Sequence, residues 1–158
     1  MTETIKYRLF KNHDLDAIKI LLQESELPID DIRENKIGFI VAINDTNELI
    51  GCIGLEQHGE NGLLRSFAVD AAYRGKGIGH GLFNRLLSIS RQNNISNLHL
   101  LTTTAEKFFE RAGFILSTRN DAPASIKTTV EFSSLCPSSC TYMVMGDIQK
   151  TIKQKIQP

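Results

Sequence analysis

Apolar and polar positions alternate with a period of two in six stretches of the chain, and repeat with the helical period in three others. The strand-like stretches are "TIKYRLF", "IGFIVAI", "LIGCIGLEQ", "LLRSFAV", "NLHLLTT" and "CTYMVMGDI". "NDTNE" and "GENG" supply the Asn, Asp and Gly that tight turns need, so the second, third and fourth strands read as successive hairpins. In "HDLDAIKILLQES", Leu15, Ile18, Leu21 and Leu22 share one helical face, with Asp14 and Asp16 at the end where the helix dipole favours them. A second helix runs to about Gln92, with Ile78, Leu82, Phe83, Leu86, Leu87 and Ile89 on its apolar side. A third, short one, "AEKFFERAG", closes on Gly113 as a C-terminal cap.

Between these lie a polar connection, "LPIDDIREN", and a candidate further strand, "FILSTRN". The stretch "DAPASIKTTVEFSSLCP" fits no single period, and "QKTIKQKIQP" reads as a frayed or loosely docked extension. Hairpins followed by strand, loop, helix and strand predict a mixed α/β (α+β) domain over residues 1–147, with a C-terminal tail at 148–158.

Composition narrows the partners more than the fold. The 158 residues carry no formal net charge, whereas nucleic-acid binding draws on a basic excess, so no nucleic-acid partner is expected. No run approaches the ~20 apolar residues of a membrane span, and the first residues lack a signal-peptide core, so a cytoplasmic protein without a membrane partner is expected. Three cysteines make no disulfide framework. Cys136 and Cys140 in "CPSSC" read either as a thiol pair for a soft metal or as idle thiols. The histidines His13, His58, His80 and His99 lack zinc-ligand spacing, so no metal is expected.

The chemistry concentrates in "YRGKGIGHG", residues 73–81, where four glycines and the basic Arg74 and Lys76 stand between a strand and a helix. Such a loop is either a structural turn or an anion cradle. Gly75, Gly77 and Gly79 let the backbone approach a ligand, and the helix N-terminus presents N–H groups and a positive dipole end to it. A Walker loop needs G-x-x-x-x-G-K-[ST], which is absent from the sequence. A dinucleotide fingerprint belongs after the first parallel strand, not after a run of hairpins.

"RGKGIG" resembles the pyrophosphate loop of the GCN5-related N-acetyltransferase (GNAT) superfamily. "VDAAYRGKGIGHGLFNRLL" and "AEKFFERAGF" stand in the order and spacing of that family's two main motifs. Within it, "LHLLTTTAEKFFERAGF" is similar to the catalytic domain of bacterial N-acetylglutamate synthases. "APASIKTTVEFSSLCPSS" is similar to acetyltransferase-like proteins of arsenic-resistance operons. The resemblance implies the GNAT fold, a mixed, mostly antiparallel twisted sheet of six to seven strands flanked by about four helices. It implies direct acetyl transfer, in a ternary complex, from acetyl-CoA to the amine of a small amino-acid-like acceptor, by a monomer or homodimer.

By the same resemblance, amides of Gly75, Lys76, Gly77, Ile78 and Gly79 hold the pyrophosphate, with Arg74 ordering the loop or touching phosphate. The edge formed by Phe67, Ala68 and Val69 pairs with the pantetheine arm, and an amide at Phe67 or Ala68 faces the thioester oxygen. The Tyr that many relatives use as an acid is replaced by Phe109, leaving Thr102, Thr103, Thr104 or water to serve the leaving thiolate. Glu56 is either a proton acceptor acting through water or a solvated strand-end carboxylate. Arg65 is either the receptor for an acceptor carboxylate or a surface residue, with Arg119 and Lys127 as alternatives. His58 and His99 are either site residues or packing. The missing Tyr keeps a non-catalytic acyl-CoA-binding module open as a second reading, and a protein N-terminal acetyltransferase as a third.

Overall fold

The computed structural model describes residues 3–32, 37–135 and 140–149. They carry a seven-stranded mixed sheet in the order β1-β2-β3-β4-β5-β7-β6. The strands are β1 (Lys6–Leu9), β2 (Gly38–Ile43), β3 (Leu49–His58), β4 (Asn61–Val69), β5 (Asn97–Thr102), β6 (Ile115–Ser117) and β7 (Thr141–Met145). The helices are α1 (Leu15–Glu24), α2 (Ile78–Gln92), α3 (Glu106–Ala112) and the single turn α4 (Ala124–Lys127). Contacts divide the chain into two compact units, one of Met1–Glu56 with Arg65–Ile89 and one of Gln57–Leu64 with Ser90–Pro158.

In the first unit β2 pairs antiparallel with β3, as the turn residues predict, and β1 pairs antiparallel with β2 across the intervening α1. Ile18, Leu21 and Leu22 of α1 are buried with Phe39, Val41 and Cys52, so the helical and strand periods converge on one core. Asp14 does not cap α1 with its side chain. Its carboxylate instead accepts two bonds from the Arg8 guanidinium (2.8 and 3.1 Å) and one from the Lys11 amide (2.7 Å), and Arg8 holds it below the usual carboxylate range. Of the residues read as the apolar side of α2, Ile78, Leu82, Phe83 and Leu86 are buried. Leu87 and Ile89 are only half-buried, and Ile89 lines a shallow pocket of about 220 Å³ with Tyr7, Leu9 and Ile40.

In the second unit the start of β4 runs parallel to β5, from Asn61 opposite Asn97 to Leu63 opposite His99. β5 pairs antiparallel with β7, which also takes β6, so the last strand in sequence inserts between two earlier ones. α3 ends at Gly113, whose φ of 113° is left-handed, and Phe114 N–H closes the turn on the Phe109 carbonyl at 2.9 Å. The stretch with no single period holds α4 and a π-turn at Glu131–Leu135. Ala122, Ile126 and Phe132 from this region pack with Leu63 and Tyr142. Ile148 is buried and its amide bonds the Ser96 carbonyl, while the Gln149 side chain bonds the carbonyls of Arg91 and Ile95. The rest of the expected tail, and Cys136, lie outside the described residues.

Candidate functional site

The glycine loop is held at both ends by bonds that the sequence dictates locally. Asp70 donates its amide to the Ile50 carbonyl (2.8 Å) and accepts the Ala72 amide on its side chain (2.9 Å), starting a 3-10 turn over Ala71–Tyr73. Arg74 then turns back, and its Nε donates to the Val69 carbonyl at 3.1 Å. Gly75 and Gly77 follow with φ of 77° and 83°, a region that side-chain-bearing residues enter at a cost. The first helical bond of α2 runs from Gly81 N–H to the Gly77 carbonyl (3.1 Å), so the amides of Ile78 and Gly79 lack an acceptor within the helix. Residues 74–77 are exposed. Lys76 lies 5.2 Å from the centre of the Tyr73 ring, and the Tyr73 hydroxyl accepts from the Asn44 amide (2.9 Å) and donates to the Glu3 carboxylate (3.1 Å). An exposed, cationic, N–H-rich loop at the head of a long helix is suited to a phosphate group.

Upstream of the loop, β4 is kinked. Ser66, a buried residue with a side chain, has φ of 52° in the middle of the strand. Its carbonyl accepts the Cys52 thiol at 3.4 Å, and the Cys52 sulfur takes a bond from the Ala68 amide. Burial pushes that thiol up to about 12, so it stays protonated and able to donate. Ala68 and Asp70 thus send their amides toward β3. Strand alternation turns the amides of Phe67 and Val69 to the opposite edge. Of the two amides expected near a thioester oxygen, Phe67 is the one with that orientation.

Arg65 is the residue before the kink, and its side chain is fully buried. Its fork meets both oxygens of Asp31 at 2.5 and 2.6 Å, its Nε donates to Ser66 Oγ at 3.2 Å, and Nη1 lies 3.5 Å from Glu56. The solvated reading of Glu56 is therefore corrected: its carboxylate is buried beside a guanidinium. Asp31 belongs to the polar connection after α1, where no period separates it from its neighbour Asp30. Burial of one of the two was not readable there.

The second unit holds the other candidates. Thr102 Oγ1 accepts the Ala105 amide at 3.0 Å at the entry to α3, and Thr103 and Thr104 are exposed. Phe109 is buried, with edge-on contacts to Phe108 and Phe114. His99 is buried between Asn61 Oδ1 on Nε2 (2.9 Å) and the Tyr142 hydroxyl on Nδ1 (2.7 Å). An amide oxygen only accepts, so Nε2 carries the proton and Tyr142 donates to Nδ1. Burial lowers His99 to about 4 and, with Asp121, raises Tyr142 to about 12. His58 Nε2 is buried without a hydrogen bond among the described residues. Arg119 stacks 5.3 Å over Phe132, and Lys127 is exposed in the last turn of α4.

Among the described residues no group of three or more His, Cys, Asp or Glu is placed to hold a metal, and no helix is long and apolar enough to cross a membrane. The model of the acetyltransferase (GNAT) domain matches residues 35–116. An amino-acid acetyltransferase of Mycobacterium tuberculosis is 38% identical over 68 residues, which are 42% of this chain, and the chain spans 38% of that relative's length. A GNAT-family acetyltransferase of Staphylococcus aureus superposes with a TM-score of 0.75 at 21% identity, covering 90% of this chain and 99% of that one. The N-acetylglutamate synthase of Neisseria gonorrhoeae, solved with coenzyme A and N-acetyl-glutamate, gives 0.74 at 19% identity, covering 93% of this chain and 36% of that one. Motif order, the strand–loop–helix geometry and a domain match over residues 35–116 converge, and the chain belongs to the GNAT acetyltransferase family.

Proposed function

We propose that the protein transfers the acetyl group of acetyl-CoA to the amine of a small amino-acid-like acceptor, directly and without an acetyl-enzyme. The observation that carries this is the loop of Arg74 to Gly79, exposed from Arg74 to Gly77, with two left-handed glycines at the head of α2. The amides of Gly75 to Gly79 hold the pyrophosphate, and Lys76 adds a charge-assisted donor. Arg74 serves by fixing the loop, since its Nε is engaged at Val69. The outer edge of Phe67 to Val69 takes the pantetheine as an added strand.

In the reaction the neutral amine attacks the thioester carbon, and the oxygen gains charge facing the Phe67 amide. The tetrahedral centre collapses with cleavage of the C–S bond, giving the amide and coenzyme A thiolate. The ammonium proton leaves before attack, through water to Glu56. The thiolate takes a proton from water. The amino-acid character of the acceptor draws support from the M. tuberculosis relative and from the ligand of the N. gonorrhoeae neighbour. The arsenic-resistance likeness rests on a stretch that runs into residues 136–139, outside the described part.

A non-catalytic acyl-CoA-binding module is the second reading, favoured by one observation: Phe109 is sealed in an aromatic cluster, so no side-chain acid stands at that position. Thiol release from acetyl-CoA across a panel of amino acids and their phosphorus- and arsenic-bearing analogues separates the two. Amine-dependent release is expected. Tight acetyl-CoA binding with no release across the panel would establish the module instead.

A further inference from the structure

We infer that Asp31 is a positioning residue: through Arg65 it holds the left-handed kink at Ser66, and so aims the Phe67 amide. The inference rests on the reading of that amide as the donor to the thioester oxygen. It moves Arg65 from substrate recognition to the support of the backbone.

The argument starts from the cost of the kink. Ser66 occupies a φ of 52° inside a strand, a conformation that side-chain-bearing residues hold only where the surroundings over-determine it. Two bonds do so. The Cys52 thiol takes the Ser66 carbonyl, and the Arg65 Nε takes its hydroxyl. A lone Arg side chain would fix little, because a guanidinium on a flexible stem has many rotamers. This one is clamped, since Asp31, 34 residues earlier in the chain, meets it on two parallel N–H···O bonds between buried side chains. The planarity of the guanidinium then dictates where Nε points. Asp31 sets the plane, the plane sets Nε, and Nε pins Ser66. An acceptor carboxylate approaching Arg65 would meet Asp31 and Glu56 on the same fork, two like charges, which makes this guanidinium a poor receptor for an anion.

A double-mutant cycle with Ser66→Gly tests this, because glycine adopts positive φ without a brace. Asp31→Asn keeps one acceptor and removes the charge. It is expected to lower kcat about tenfold, the scale of a donor misplaced rather than deleted, with KM for acetyl-CoA within about twofold. Made in the Ser66→Gly background, the same change is expected to alter kcat by less than about twofold, and Arg65→Lys, which lacks Nε, is expected to follow the same pattern. An Asp31→Asn effect as large in the Ser66→Gly background as in the parent would overturn the inference, as would no effect in the parent. Amide hydrogen exchange at Phe67 and Ala68 is read on the same proteins and is independent of turnover. Faster exchange in Asp31→Asn that is absent from the cycle's other arm supports the brace even where no amine is acetylated, a result that would sink the proposed function alone. If Asp31→Asn does not fold, the Arg65→Lys arm decides: unchanged exchange there overturns the brace.

Discussion

In the first unit a guanidinium and two carboxylates share a buried site, whereas in the second a buried imidazole and phenol join a half-buried carboxamide without formal charge. The charged cluster joins β3 and β4 to Asp31 of the connection after α1, and the neutral one joins β4, β5 and β7. The difference lies in what each is built to hold. The charged cluster borders Ser66, a non-glycine residue whose positive φ falls inside a strand, and lies in the unit that also carries the left-handed Gly75 and Gly77, whereas the positive φ of Asn94 and Asp147 in the second unit lies outside its strands. The neutral cluster borders an aromatic core of Phe132 and Tyr142. Charge with a fork fixes a direction, while a neutral imidazole between two partners fills a space and satisfies the strands around it.

The largest effect follows from breaking the charged cluster on one side. Arg65→Met leaves Asp31 and Glu56 buried together, and removal of one member of a buried ion pair costs about 3–5 kcal/mol. For a chain of this size that corresponds to roughly 10 °C in the unfolding midpoint, measured by thermal denaturation at neutral pH. Arg65→Met combined with Asp31→Leu and Glu56→Gln should recover most of the loss, because well-packed apolar groups replace such clusters with little penalty. A single-variant loss below about 1 kcal/mol would mean that the cluster is wetter than its burial indicates, and the contrast with the second unit would collapse.

Acid should expose the opposite weakness in the neutral cluster. The folded-state value of His99, about 4, lies below the ordinary 6.5, so the unfolded chain binds the proton first as pH falls. Its contribution is therefore fully present above about pH 6.5 and is lost down to about pH 4, on the order of 3 kcal/mol in total. Asp14, held low by Arg8, loses its contribution only as pH falls below its ordinary 3.8, so the two windows separate. Denaturant melts of the parent and of His99→Gln between pH 7 and pH 4.5 check this. The variant should be flatter, and parallel curves would assign the acid sensitivity elsewhere.

On the binding side, Gly77→Asp places a side chain at φ 83° and a negative charge in the cradle. Together these should weaken acetyl-CoA by roughly a hundredfold, from about 1–2 kcal/mol of backbone cost and a comparable electrostatic term. Open space around the missing Cβ leaves only the backbone cost, so the fold itself should survive with an unfolding midpoint lowered by a few degrees. Calorimetry giving an unchanged affinity would return the loop to the status of a structural turn.

The two units also differed in how far they could be read in advance. The loop was legible because glycines, Arg74 and the start of α2 are local in sequence, and local sequence dictates caps and left-handed turns. The hairpins of β2 and β3 were legible for the same reason. Asp31 was not, since its burial depends on a partner 34 residues away and its flanking segment is polar throughout. Nor was the kink at Ser66, where no glycine or asparagine marks the positive φ. The insertion of β7 between β5 and β6 is a pairing choice that period-two patterns do not encode. Glu56 fell between these cases. Its place at the end of β3 was readable, but its burial depended on Arg65.

The smallest expected effect sharpens the contrast at α3. Phe109→Tyr adds a hydroxyl where the ring is enclosed by Phe108 and Phe114, and a buried hydroxyl without a partner costs about 1–3 kcal/mol. If the ring edge reaches solvent or a bound thiolate by a small shift, that cost falls away. The hydroxyl then becomes available as an acid, the role that the family resemblance implies for a Tyr at this position. Stability and rate together decide between these. A midpoint lowered by a few degrees with unchanged kcat is the expected result, and it would show that Phe109 belongs to the core and that water already protonates the leaving group. A rise in kcat approaching ~10²-fold with the midpoint preserved would mean instead that the second unit lies open to the reacting atoms at Phe109. The contrast between the charged cluster at Arg65 and the neutral one at His99 would then no longer separate chemistry from packing.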